Sequence, residues 1–168
     1  RDPARAVVCF RRAAQAVEAE DPRILMNLGR AHYLSRQTSG AEAAFRAVLK
    51  LDPEHYPAHY ELARLYLEAS CVGWAAPHLR VVATLAPIHW AYLEVLRKHL
   101  TTLGQWPLAV EFEAALATRS GLDGENWMNL FKAANMAADE KVKRNALRRS
   151  LILRPQAAII WKAVDAPH

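Results

Sequence analysis

The pair His55 and His59, four residues apart in "HYPAH", is the nearest this sequence comes to a metal site. Structural and catalytic metal sites take three or four protein ligands. Pro57 is placed to open a helix, which leaves His55 in the preceding turn, so no metal is expected there. Cys9 and Cys71 stand far apart, outside any CxxC or Cys/His spacing, and read as reduced thiols packed in or near the core. The neighbours Asp139 and Glu140 suit the first turn of a helix, where carboxylates favour the dipole. There is no GxGxxG, no GxSxG and no HExxH, the patterns on which phosphate cradles, nucleophile elbows and zinc hydrolases are built. Neither catalysis nor a cofactor is expected of these residues.

Cationic side chains remain. The chain carries 22 Lys and Arg against 17 Asp and Glu, a net +5, which favours anionic partners without setting a fold. One concentration is "KVKRNALRRSLILR", residues 141–154, able to touch phosphate or an acidic surface. No groove-reading element or stacking platform accompanies it, so nucleic acid is not the expected partner. The other is distributed: Arg30, Arg64, Lys98 and Lys132 follow one another at intervals of 34. Such a recurrence has meaning only if the backbone recurs with it.

The backbone signals do recur. Pro53, Pro87 and Pro155 fall on a 34-residue grid, with Gly121 at the remaining point. Leu25, His59, Leu93, Trp127 and Trp161 share that period, as do Leu28, Leu62, Leu96, Leu130 and Val164. Hydrophobic residues make up 52% of the chain, glycine is sparse and β-branched residues rarely cluster, so the repeating unit is a hairpin of two helices. No window is apolar enough to span a membrane, and "RDPARAVVCF" at the start lacks the apolar segment of a signal peptide. A soluble, cytoplasmic protein is expected, the two unpaired thiols pointing to a reducing compartment.

These residues resemble the tetratricopeptide repeat, whose signature runs Trp or Leu, Leu-Gly, an aromatic, Ala-x3-Phe and a closing Pro. Leu25, Leu28-Gly29, Ala41-x3-Phe45 and Pro53 make the best copy, and Leu62-Ala63, Tyr66, Ala75-x3-Leu79 and Pro87 the second. The third, Leu108-x3-Phe112, matches one residue out of register after Gly104 and Trp106, and the fourth offers Trp127, Leu130 and "LILRP". Arg97 departs from the pattern where a small residue is usual, and Lys143 where a packed Ala is. Long stems that snorkel outward would accommodate both. His32 and His59 replace aromatic positions and are expected to be hydrogen-bonded core histidines.

The resemblance implies an all-α fold, a right-handed superhelix (solenoid) of about four and a half hairpins in a single array over 1–168. It would hold the second helix of an incomplete repeat at 1–20, repeats at 22–53, 56–87, 90–121 and 124–155, and the first helix of a further incomplete repeat at 156–166. It also implies a stretch of a longer protein, with apolar end faces, Ile159, Ile160 and Trp161 among them, free to self-associate. Family members bind proteins or peptides in a concave groove lined by the first helix of each hairpin. The expected function is therefore a non-catalytic protein-protein interaction scaffold. It would hold an extended, acidic peptide segment against Arg30, Arg64, Lys98 and Lys132, with Met26, Tyr60 and Met128 supplying apolar contact. Glu61, Glu68, Glu94 and Glu125 are placed to neutralise part of that line. The cationic clamp of chaperone-binding members is not expected, its places being held by Met26, Arg30, Glu61, Ala91 and Val95. The asparagine ladder of members fused to sugar transferases survives only as Asn27 and Asn129. Two alternatives stand: an accessory region of a larger enzyme such as a glycosyltransferase, or an anion or nucleic-acid contact through the basic helix 141–154.

Overall fold

The computed structural model describes residues 3–16, 21–87, 91–120 and 124–153. All regular structure among them is helical: α1 Pro3–Ala16, α2 Pro22–Leu34, α3 Thr38–Leu51, α4 Tyr56–Glu68, α5 Val72–Leu85, α6 Tyr92–Thr102, α7 Trp106–Ser120, α8 Gly124–Met136 and α9 Glu140–Leu153. Residues 154–168, with the expected last half-repeat and its Ile159, Ile160 and Trp161, lie outside the described residues. Two compact units make up the chain, Arg1–Ala86 with α1 to α5 and Pro87–His168 with α6 to α9.

Local chemistry sets the helix starts. Asp21 caps α2, its carboxylate accepting the Arg23 N–H at 2.8 Å with Pro22 at the first helical position. His55 caps α4 in the same way, Nδ1 accepting the Ala58 N–H at 3.2 Å with Pro57 in the first turn. Proline costs nothing there, because the first N–H groups of a helix have no partner within it.

The turns inside the hairpins repeat atom by atom. Arg36, Ser70, Gly104 and Ala138, each 34 residues after the last, have φ of 57°, 57°, 63° and 56°. The residue after each sends its N–H back to close the first helix: Gln37 to the His32 carbonyl (2.9 Å), Cys71 to Tyr66 (2.8 Å), Gln105 to Leu100 (2.9 Å) and Asp139 to Ala134 (2.9 Å). This left-handed closure satisfies carbonyls that a helix end leaves open. The second helices consequently begin in step, at Thr38, Val72, Trp106 and Glu140. The third hairpin, which the sequence signature set one residue out, is in register. Its apparent slip arises because Glu113 occupies the place of Phe45, and Phe112 beside it mimics the missing aromatic. Cys71 falls in one of these turns and Cys9 on the face of α1 with Arg5, Val8 and Arg12. Both thiols are exposed, not packed in the core.

Each hairpin closes on paired positions along its two helices. In the first, a Cβ on Gly29 would overlap the ring of Phe45, which is fully buried. The equivalent places hold Ala63 and Leu79 in the second hairpin, and Phe131 and Leu147 in the fourth. In the third they hold Arg97 and Glu113. A buried set of Ala117, Trp127, Leu130, Phe131 and Ala146 ties α7, α8 and α9 together.

His32 and His59 are buried and hydrogen-bonded. His32 Nδ1 meets the Gln37 side chain at 2.6 Å. His59 Nε2 donates to the Pro53 carbonyl at 2.9 Å, so its Nδ1, 2.7 Å from His78 Nδ1, accepts from that ring in the neutral pair. Burial, then the neighbouring His59 and Arg46, lower the His78 pKa to about 4.

Two outcomes follow. The left-handed turn positions are exposed, so backbone strain dominates there: Ala138→Gly should stabilise by about 0.5 to 1 kcal/mol and Gly104→Ala destabilise by about 1 kcal/mol, read from urea midpoints. For His78, the unfolded ring takes up a proton near pH 6.5 while the folded ring resists until about 4. Stability should thus be full above 6.5 and fall as pH drops through that window. Comparing urea midpoints at pH 7 and 4.5, the wild type should lose about 1 to 2 kcal/mol more than His78→Gln, after allowance for the ring's partial exposure.

Candidate functional site

Unit 1 places five of the expected groove residues. Glu61, on α4, is buried, and its two oxygens are both taken: Oε1 accepts from Arg30 Nε at 3.0 Å and Oε2 from Arg64 Nη2 at 2.6 Å. Arg64 lies with its guanidinium 4.0 Å from the centre of the Tyr33 ring and 5.8 Å from that of Tyr60. Tyr33 in turn donates to Glu68 at 2.7 Å. A carboxylate out of water needs such partners, so these two arginines are held by the protein's own acid. Arg30 keeps half of its side chain in solvent and Arg64 a fifth. Tyr60 and Met26 are buried, and Asn27 is exposed. Two of the expected contact residues thus already belong to the core of the hairpins, where apolar burial is worth most.

Unit 2 brings three others together. A cleft of about 410 Å³ is lined from α6 by Glu94, Arg97, Lys98, Leu100 and Thr101, from α7 by Trp106, Ala109 and Glu113, and from α8 by Asn129, Lys132, Ala133 and Met136. Lys98 and Lys132 are exposed and make no ion pair among the described residues. Met128 instead packs against the Trp127 core. Deep in the cleft wall Arg97 is spent internally: Nε lies 2.6 Å and Nη2 3.2 Å from the two oxygens of Glu113, and Nη2 also donates to Asn126 Oδ1 at 3.2 Å. Burial pushes the Glu113 carboxyl upward, opposed by Arg97. The forked pair fixes the guanidinium plane, so Arg97 braces α6 against α7 and α8. What faces solvent is an apolar floor bordered by the Lys98 and Lys132 ammonium groups, the Glu94 carboxylate and the Asn129 amide.

The basic helix is less concentrated than its sequence. On α9, Lys143 sits 3.4 Å from Glu140, Arg144 donates to the Glu140 carbonyl, and Arg149 lies 5.7 Å from the Trp127 ring. Lys141 and Arg148 are exposed, and Arg154 lies outside the described residues. His55 and His59, engaged in a cap and a ring pair, share no ligand position, and among the described residues no three His, Cys, Asp or Glu gather as a metal site. The sequence placed Glu94 beside the line of cations and gave Trp106 only as a mark of the turn; it did not reveal the Arg97–Glu113–Asn126 network. The signal for the network was Arg97 and Glu113 sitting together off the pattern, 16 residues apart.

A family model for the tetratricopeptide repeat matches residues 22–55, the stretch holding α2 and α3. None of the curated proteins matches the chain. Among solved structures, a crystal structure of the MamA protein is 14% identical with a TM-score of 0.60, covering 94% of this chain and 85% of that one. A MamA from Desulfovibrio magneticus RS-1 is 21% identical, TM-score 0.58, covering 92% and 86%. YrrB, described as a tetratricopeptide-repeat protein with an unusual peptide-binding site, is 15% identical, TM-score 0.55, covering 96% and 82%. Residues 22–55 are thus a tetratricopeptide repeat, and the chain as a whole has the all-α fold of tetratricopeptide-repeat proteins.

Proposed function

We propose that this protein is a non-catalytic interaction scaffold that holds an extended, acidic peptide segment of a partner protein in the unit 2 cleft. One observation carries the reading: of the four cations that recur at 34-residue intervals, Arg30 and Arg64 are bound to buried Glu61, whereas Lys98 and Lys132 line one cleft, exposed and in direct contact with no carboxylate among the described residues, Lys132 feeling only the field of buried Glu113. The lysines supply attraction and orientation, Asn129 offers a donor and an acceptor to a peptide backbone, and Leu100, Trp106 and Met136 take apolar side chains. YrrB supports a peptide-binding role for the fold, and two exposed, unpaired thiols accord with a cytoplasmic setting. Exposed ion pairs contribute about 0.2 to 1 kcal/mol each, so affinity should be modest, on the order of micromolar, and should weaken with salt. Binding of a panel of fluorescent acidic peptides, followed by anisotropy, tests this. Lys98→Glu with Lys132→Glu should weaken it by about tenfold or more, with an unchanged circular dichroism spectrum, while Arg30→Ala should change it less than twofold. Equal affinity in the folded double variant would return both lysines to the solvated surface.

A further inference from the structure

Resting on that cleft as the binding site, we infer that its ligand is bipolar: a basic side chain two positions from an acidic one, not an unbroken acidic run. The cleft wall carries a carboxylate as well as cations. Glu94 stands in the first turn of α6 with three quarters of its side chain exposed, and it lines the same cleft as Lys98 and Lys132. Arg97 compensates it only in part: Nη1 reaches Glu94 Oε2 at 3.5 Å, a longer contact than the 2.6 Å from Nε to Glu113, and it leaves most of the Glu94 carboxylate in solvent.

Spacing turns this pair of charges into a selector. Glu94 and Lys98 are four residues apart on one helix, on the same face and about 6 Å apart along its axis. Alternate side chains of an extended peptide point to one side and repeat at about 6.6 to 6.8 Å. A strand lying along α6 can therefore set a base on Glu94 and an acid on Lys98 with one apolar residue between them facing away. A strand with acids at both places puts one carboxylate against another. Lys132, from α8, reinforces the acidic position, and the pattern can be read with the strand in either direction.

The experiment uses the whole chain and two synthetic peptides of equal length, one with a lysine–apolar–glutamate core and one with a glutamate–apolar–glutamate core. Anisotropy titrations with the wild type should favour the bipolar peptide about three- to fivefold. Glu94→Lys should reverse the order by a similar factor, and Glu94→Gln should bring the two affinities together. Glu94 is exposed, so both variants should keep the wild-type circular dichroism spectrum. An affinity ratio unchanged across wild type, Glu94→Lys and Glu94→Gln would overturn the bipolar reading while leaving the cleft as a binding site. Failure of both peptides to bind the wild type would overturn both.

Discussion

A carboxylate taken out of water must be met by positive charge at short range, and this requirement organises what the protein shows to its surroundings. Two glutamates are buried where helices cross, Glu61 in unit 1 and Glu113 in unit 2. Each recruits arginine: Arg30 and Arg64 for the first, Arg97 for the second. Stranding one member of such a pair costs about 3 to 5 kcal/mol, far more than an exposed ion pair with a ligand returns. Arginines near buried acids are accordingly structural before they are anything else. Lys98 and Lys132, in the same column, contact no carboxylate and stay exposed, since Arg97 already answers the buried Glu113 near Lys132.

The 34-residue frame makes that division interpretable. Left-handed residues at 36, 70, 104 and 138 fix where each second helix begins, so equivalent positions in different hairpins are equivalent in space relative to their own turn. Gly29 against Phe45 and Arg97 against Glu113 are two solutions to the same contact. The apolar one closes the hairpin by shape. The polar one adds a planar fork that braces three helices, and it borders the cleft that Lys98, Asn129 and Lys132 share.

How much of this was legible in the sequence follows from the range of the interactions. The hairpins were legible, because proline and leucine positions repeat at one period and each turn is made by residues close in sequence. The cap at Asp21 and Pro57 in the first turn of α4 are local in the same sense. The fates of the cations were not. Arg30 meets an acid 31 residues away and Arg97 one 16 residues away, and a column of like charges in a sequence carries no sign of which members are spent. Met26 and Tyr60 looked like ligand contacts because they sit on inner helices, yet the turn of those helices buries them. The thiols went the other way: cysteine is commonly buried, but Cys71 lies in a turn whose backbone already has its partners, and nothing covers it.

Side-chain resonances report directly on the division between arginines held by Glu61 and exposed lysines. In a nuclear magnetic resonance titration of the labelled protein with an acidic peptide, followed at arginine Nε and lysine Nζ, saturating shifts are expected at Lys98 and Lys132. Arg30 and Arg64 Nε should stay at their free-protein positions, because Glu61 keeps both arginines. Saturating shifts at Arg30 and Arg64 with Lys98 and Lys132 unmoved would contradict that division.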